Sequence, residues 1–120
     1  LGGLAQALAH ASEAVRVAHQ VALLDYEMWS EMEIGLALVA RSQPEAALEH
    51  TERAVSLAPR SGESWIGTEE VHRAHACVLR SLGRMEEAAA QERAAEAIID
   101  AKAERIPDPQ QRRRFLQAAQ

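Results

Sequence analysis

The chain has 120 residues, is 48% hydrophobic but only 3% aromatic, and is long enough to bury a core that small side chains must set. Its formal net charge is -5, with 12 Arg and Lys102 scattered among 18 acids, so no basic face is offered to nucleic acid. The single cysteine, Cys77, excludes an internal disulfide and makes a reducing, cytoplasmic setting the expectation, while no apolar run reaches the ~20 residues that span a bilayer.

The chain opens on Leu1-Gly2-Gly3 with no initiator Met and no charged-then-apolar leader, so a piece of a longer protein is expected. Leu4 to Ala18 contains no Pro or Gly, and Leu4, Leu8, Ala11 and Val15 fall on one helical stripe. Val21 to Arg41 predicts a longer second helix with Leu24, Met28, Ile34 and Leu38 as its core side. Ser42 then reads as a cap, Pro44 as a first-turn proline and Glu45 as a charge that suits the positive helix end. Pro59 closes that helix. Beyond the turn-rich "PRSGES", a helix is predicted from about Glu63 to Leu82, ended by Gly83 in a left-handed conformation. Another runs from Arg84 to about Glu104. "IPDPQQ" then breaks the chain, with Asp108 capping and Pro109 starting a short helix that ends near Ala118. No stretch alternates long enough for a strand, and the predicted class is all-α.

An internal repeat underlies these elements. Laying Gly2, Ser42 and Gly83 over one another, at offsets of 40 and 41 residues, aligns Ala7 with Ala47 and Ala88, and Ala14 with Ala54 and Ala95. Leu8, Leu48 and Ala89 coincide, as do Val17, Leu57 and Ile98; the third copy is weaker, since Val15 and Val55 meet Glu96.

The middle copy carries Glu31, Ile34, Gly35, Leu38, Ala47, Thr51 and Pro59 in the slots of the pattern W-x2-L-G-x2-Y, A-x3-F, P, and so resembles the tetratricopeptide repeat. The third offers His72, His75, Ala76, Leu79, Ala88, Glu92 and Asp100, with Gly83 at the inter-helix turn. The family repeat is about 34 residues, so a period of 40 to 41 adds about two helical turns to each pair. That is similar to the long-helix repeats in C-terminal regions of large bacterial signalling regulators, where an ATPase module joins a DNA-binding or cyclase domain. "AKAERIPDPQQRRRFL" resembles the "I-x-DP-x-x-R-x-x-FL" ending found after such repeats.

The resemblance implies one α-α superhelical domain over residues 1–120, a solenoid of antiparallel helix pairs. Residues 1–19 would be the second helix of a truncated repeat, 20–60 and 61–106 two repeats, and 107–120 a capping helix. In that cap Phe115 and Leu116 fold back on the last apolar face while Arg112, Arg113 and Arg114 stay wet, because a solenoid needs a polar-faced end. The sharper reading of the three arginines is a contact to an anionic partner. Helix-pair packing falls to Gly35, Leu38, Ala47, Ala54 and Pro59, and to Leu79, Gly83, Ala88 and Ala95. Ala47 and Ala54 share one face, two turns apart, with Gly35 opposite; small residues there exchange side-chain area for close backbone approach.

The first helix of each pair in the family lines a concave groove. Here that implies Trp29, Met32, Leu36 and Val39 in the middle copy, and Arg73, Cys77 and Arg80, with Glu70 and Ser81, in the third. The apolar middle stripe suits an amphipathic helix or extended peptide; packing against a neighbouring unit or a second chain is the other reading. With no Asn and only Lys102, the groove is not the carboxylate-clamp type that grips peptide C-termini.

Catalytic chemistry is not expected. His72, His75 and Cys77 cannot converge on one metal, since Cys77 lies about 140° round the helix from His72. Those two histidines are expected at the helix-pair contact, and His10, His19 and His50 at the surface. A mid-helix thiol lacks a mounted base and oxyanion donors, no Gly-rich phosphate loop exists, and Glu69-Glu70 and Glu86-Glu87 fall in helix first turns. The expected function is a protein-interaction scaffold, the regulatory or sensory arm of a larger protein, with no cofactor or metal and with a protein, a peptide or another domain of the parent chain as partner. A structural spacer that self-associates as a homodimer is the alternative, and a non-repeat helical bundle the third.

Overall fold

The computed structural model describes residues 2–58 and 67–120. Five helices follow one another: α1 (Gly2–Ala40), α2 (Pro44–Leu57), α3 (Thr68–Ser81), α4 (Met85–Glu104) and α5 (Pro109–Ala118). No strand occurs among the described residues, as the periodicity predicts.

α1 and α2 form an antiparallel hairpin. Its register shows in the contacts: Gly35 lies against Ala47 and Thr51 near the turn, Glu31 meets His50, and Met28 shares a core cluster with Leu57 at the far end. α3 and α4 repeat the arrangement, with Ala76 and Leu79 on Ala88 near the turn, His72 on Gln91, and Lys102 Nζ donating to Glu69 Oε2 at 2.6 Å farther along. α2 and α1 both touch α3, and α5 touches α4.

The two hairpin turns are closed by corresponding hydrogen bonds. The amide of Gln43 donates to Leu38 O at 2.9 Å and that of Ser42 to Val39 O at 2.9 Å. Forty-one residues on (38 to 79, 43 to 84), Arg84 donates to Leu79 O and Gly83 to Arg80 O at the same 2.9 Å. This nested pair satisfies carbonyls that a helix end would leave bare, and it requires a left-handed residue after the last turn. Gly83 supplies it at φ 77° and Ser42 at φ 61°. Ser42 is therefore not the expected cap of α2; it closes α1, while Gln43 sits at the start of α2 with no side-chain cap bond. Pro44 occupies the first turn as expected.

Small side chains form the helix-pair faces. Ala47 and Ala54 are 0% exposed, Ala88 2% and Ala95 1%. A Cβ on Gly35 would stand 2.5 Å from Thr51 Cγ2 and 3.4 Å from Ala47 O, so hydrogen at this position sets how closely the helices approach. Leu38 is half-buried and Leu79 buried. The larger cluster, Met28, Met32, Ala54, Leu57, Ala58, Val71 and Ala74, joins α1, α2 and α3.

Two helical expectations need correction. The helices expected at Leu4–Ala18 and Val21–Arg41 run together as α1, which ends at Ala40, because His19 and Gln20 carry no stop signal; residues 3–20 are exposed along it. At 39 residues it is about 58 Å long, which accounts for the 64 Å long axis and for a radius of gyration of 18.1 Å, above the roughly 14 Å of a compact chain this size. Ile34 is 43% exposed rather than core; Met28, Met32 and Gly35 hold the covered side, and Ile34 lies more than a quarter-turn from them. Pro59 and the predicted start of α3 at Glu63 lie outside the described residues.

The tail folds back against α4. Asp108 Oδ1 accepts from the amide of Gln110 at 3.0 Å, and Pro109 opens α5. Arg112 is not wet: its Nε donates to Ala103 O at 3.2 Å and Ile106 O at 3.0 Å, and its Nη2 to Ile106 O at 2.7 Å. A cation there satisfies the last carbonyls of α4. Arg113 and Arg114 are exposed, and Phe115 and Leu116 are half-buried.

Candidate functional site

The residues expected to line a groove lie on α1 and α3, the first helices of the two hairpins, which touch each other. Leu36 and Cys77 are 41 residues apart and occupy equivalent positions on them; Leu36 is 39% exposed and Cys77 half-buried with a free thiol. Val39 is half-buried and its equivalent Arg80 exposed.

The structure withdraws Met32 from that surface. At 5% exposure it belongs to the core shared by α1, α2 and α3, because its helical phase matches that of Met28. Trp29 is half-buried against the same cluster. A Cβ on Gly67 would stand 2.5 Å from the Trp29 ring, so the indole lies against the backbone that enters α3, where Gly67 has φ 68°. Its Nε1 donates to Glu33 Oε1 at 2.9 Å, so one edge is tied down while the ring keeps partial exposure.

In the third copy the residues expected to line a groove are charged and tied to one another and to neighbouring helices. Arg73 Nη2 donates to Ala119 O at 2.7 Å and Nη1 reaches Glu70 Oε1 at 3.5 Å, linking α3 to the end of α5. Arg80 pairs with Glu92 of α4. Arg73 also lines a cavity of about 500 Å³ with Glu96, Ile99, Asp100, Leu116 and Ala119, closed on one side by α5.

Polar contacts tie the helices of each pair. Glu31 Oε2 lies 2.7 Å from His50 Nδ1, and Glu31 Oε1 accepts from Arg53 at 3.1 Å. Burial acts most strongly on Glu31 and favours its neutral form, but the hydrogen bonds and charges of His50 and Arg53 together hold the carboxyl below its ordinary value. The equivalent positions, His72 and Gln91, meet at 2.7 Å. His50 is thus a pairing residue rather than the surface residue expected, whereas His10 and His19 are exposed. His72 stands at the helix-pair contact as predicted. His75 turns to the preceding hairpin, where its Nδ1 lies 2.9 Å from Thr51 Oγ1. Among the described residues no three His, Cys, Asp or Glu side chains gather as a metal would need, and no helix is long and apolar enough to cross a membrane.

Sequence reasoning missed Gly67, Arg112 and the Thr51–His75 contact. Only the first had a visible signal, a glycine before an acidic first turn, Glu69-Glu70. Comparison with known proteins identifies no relative: no protein-family model, curated protein or solved structure matches the chain.

Proposed function

We propose that the chain is a tetratricopeptide-like interaction module that holds a peptide or protein helix along the exposed faces of α1 and α3. It would form the regulatory arm of a larger bacterial signalling or transcription-regulating protein in the cytoplasm. The observation that carries this reading is the pair of hairpins whose turns repeat hydrogen bond for hydrogen bond at 41 residues, leaving Leu36 and Cys77 at equivalent accessible positions on adjacent first helices. Serial repetition of this kind produces an extended surface rather than an enclosed pocket, which suits recognition of another chain. The capped tail, with Asp108 and Pro109 opening α5, supports the comparison with the repeat ending in such regulators.

The occupied surface comprises Leu36, Val39 and Cys77, with the accessible edge of Trp29, and is bordered by Arg73 and Arg80. A library of amphipathic helical and extended peptides, titrated against a Trp65→Phe chain with Trp29 emission as readout, tests it. Leu36→Glu should weaken the selected peptides at least about tenfold while leaving helicity intact. Unchanged binding sinks the groove reading. A concentration-dependent dimer that Leu36→Glu dissolves, with no peptide selected, favours the self-associating spacer instead.

A further inference from the structure

We propose that the cavity between α3, α4 and α5 binds a linear aliphatic diamine, with one ammonium at Glu96, the other at Asp100, and the methylene chain on Ile99 and Leu116. At about 500 Å³ the space falls within the range of small-molecule sites. Three helices build it: Arg73 comes from α3, Glu96, Ile99 and Asp100 from α4, and Leu116 from α5. The wall that α5 supplies is loosely packed. None of its residues is buried, and polar bonds fasten it, with Arg112 on Ala103 O and Ile106 O near its start and Arg73 on Ala119 O at its end. A hydrocarbon chain between Ile99 and Leu116 would give α5 apolar contact that it does not make for itself.

The charge of the ligand follows from the acids. Glu31, Glu69 and Glu92 each meet a cation on the facing helix, respectively Arg53, Lys102 and Arg80. Glu96 and Asp100 have no hydrogen-bond or ion-pair partner among the described residues. Arg73 brings a positive charge to the lining, but its guanidinium is already held by Glu70 Oε1 and Ala119 O. Two negative charges are left uncompensated, and a dication matches them. An anion would be repelled by the same two groups. Their spacing sets the ligand's length. Glu96 and Asp100 lie one turn apart on α4, about 6 Å along its axis, with the buried Ile99 alongside. An extended chain of about four methylenes, with C–C bonds of about 1.5 Å, covers that distance between its two nitrogens. The site uses none of Leu36, Val39 or Cys77, so it stands apart from the interaction surface on α1 and α3.

Diaminobutane, titrated into the full chain by calorimetry at constant ionic strength, should saturate one site with a midpoint below about 1 mM. At roughly ten times that midpoint the amides of α5 should exchange about tenfold more slowly, while those of residues 4–18 stay unchanged. Butylamine, with one ammonium, should bind at least about tenfold more weakly, as should diaminobutane to Glu96→Gln or Asp100→Asn. Glu45→Gln, on α2, should bind as the parent does. All three substituted positions are exposed, so the variants should keep the parent's thermal midpoint. No saturation by ~10 mM diaminobutane, undiminished binding to Glu96→Gln and Asp100→Asn, or an equal loss in Glu45→Gln overturns the proposal. So does binding of butylamine or of a lysine-containing peptide as tight as that of the diamine, because a single ammonium would then suffice.

Discussion

Thr51 Oγ1 and His75 Nδ1 lie 2.9 Å apart where α2 meets α3, joining the first hairpin to the second. Both residues are buried, at 0% and 7% exposure, and the threonine hydroxyl also reaches the carbonyls of Ala47 and Leu48 at 3.4 and 3.3 Å. Burial is the main force holding His75 below the ordinary histidine value of 6.5; Glu52 and Glu87 oppose it, and His72 and Arg84 add to it. The unfolded chain therefore takes up a proton that the folded chain resists, so stability is retained above pH 6.5 and falls as the pH drops through that value. Urea midpoints at neutral and mildly acidic pH should fall for the parent chain and stay flatter for His75→Gln. Below pH 4.5 the lowered carboxyl of Glu31 adds a second loss, as protonation removes its bonds to His50 and Arg53. Glu31→Gln should remove that second component. Equal acid sensitivity in His75→Gln would refute the assignment to His75.

Gly35 and Thr51 set the spacing of the first hairpin. Gly35→Ala places a methyl 2.5 Å from Thr51 Cγ2, and the overpacking should cost about 1 to 3 kcal/mol. Thr51→Ser removes that methyl and keeps the hydroxyl, so the double variant should recover part of the loss. Denaturant titration of the four proteins in this cycle measures the coupling. Purely additive changes would show that the two positions do not meet.

Ser42 and Gly83 fill one structural slot with different residues. Ser42→Gly should stabilise and Gly83→Ala destabilise, each by about 1 kcal/mol, because a Cβ at positive φ is strained. No steric contact complicates Gly83, since a Cβ there meets nothing within 4 Å. Thermal midpoints that move in the same direction for both variants would refute the shared-turn account.

Arg112 fastens the last helix. Arg112→Ala should release α5, raising amide exchange in Pro109–Ala118 by a free energy of about 1 to 2 kcal/mol while α1 keeps its protection. Arg113→Ala and Arg114→Ala, at exposed positions, should change exchange little. Equal effects from the three substitutions would mean that charge in general, rather than this set of carbonyl bonds, holds the tail.

The parts of the fold legible in the chain were those governed by local rules. Gly83, Pro44, Asp108 and Pro109 stand where their backbone preferences or capping atoms place them. The repeated alanines marked the hairpin faces, because small residues at fixed spacing leave one economical way to pack. The candidate groove was less legible. Met32 and Leu36 read alike on a helical stripe, yet one is 5% exposed and the other 39%. Ser42 read as a cap because Ser favours that role, but two backbone hydrogen bonds around it close α1 instead.

Helix class, hairpin turns and the small-residue faces follow from interactions within a few residues along the chain, so composition and spacing carry them. Which side of a helix is covered depends on surfaces supplied from far away in sequence. Met32 is buried only because α2 and α3 arrive at its side, and Leu8 is open because none of the described helices covers its own. Periodicity marks a face that can be buried, and packing between distant segments selects which of those faces loses its water.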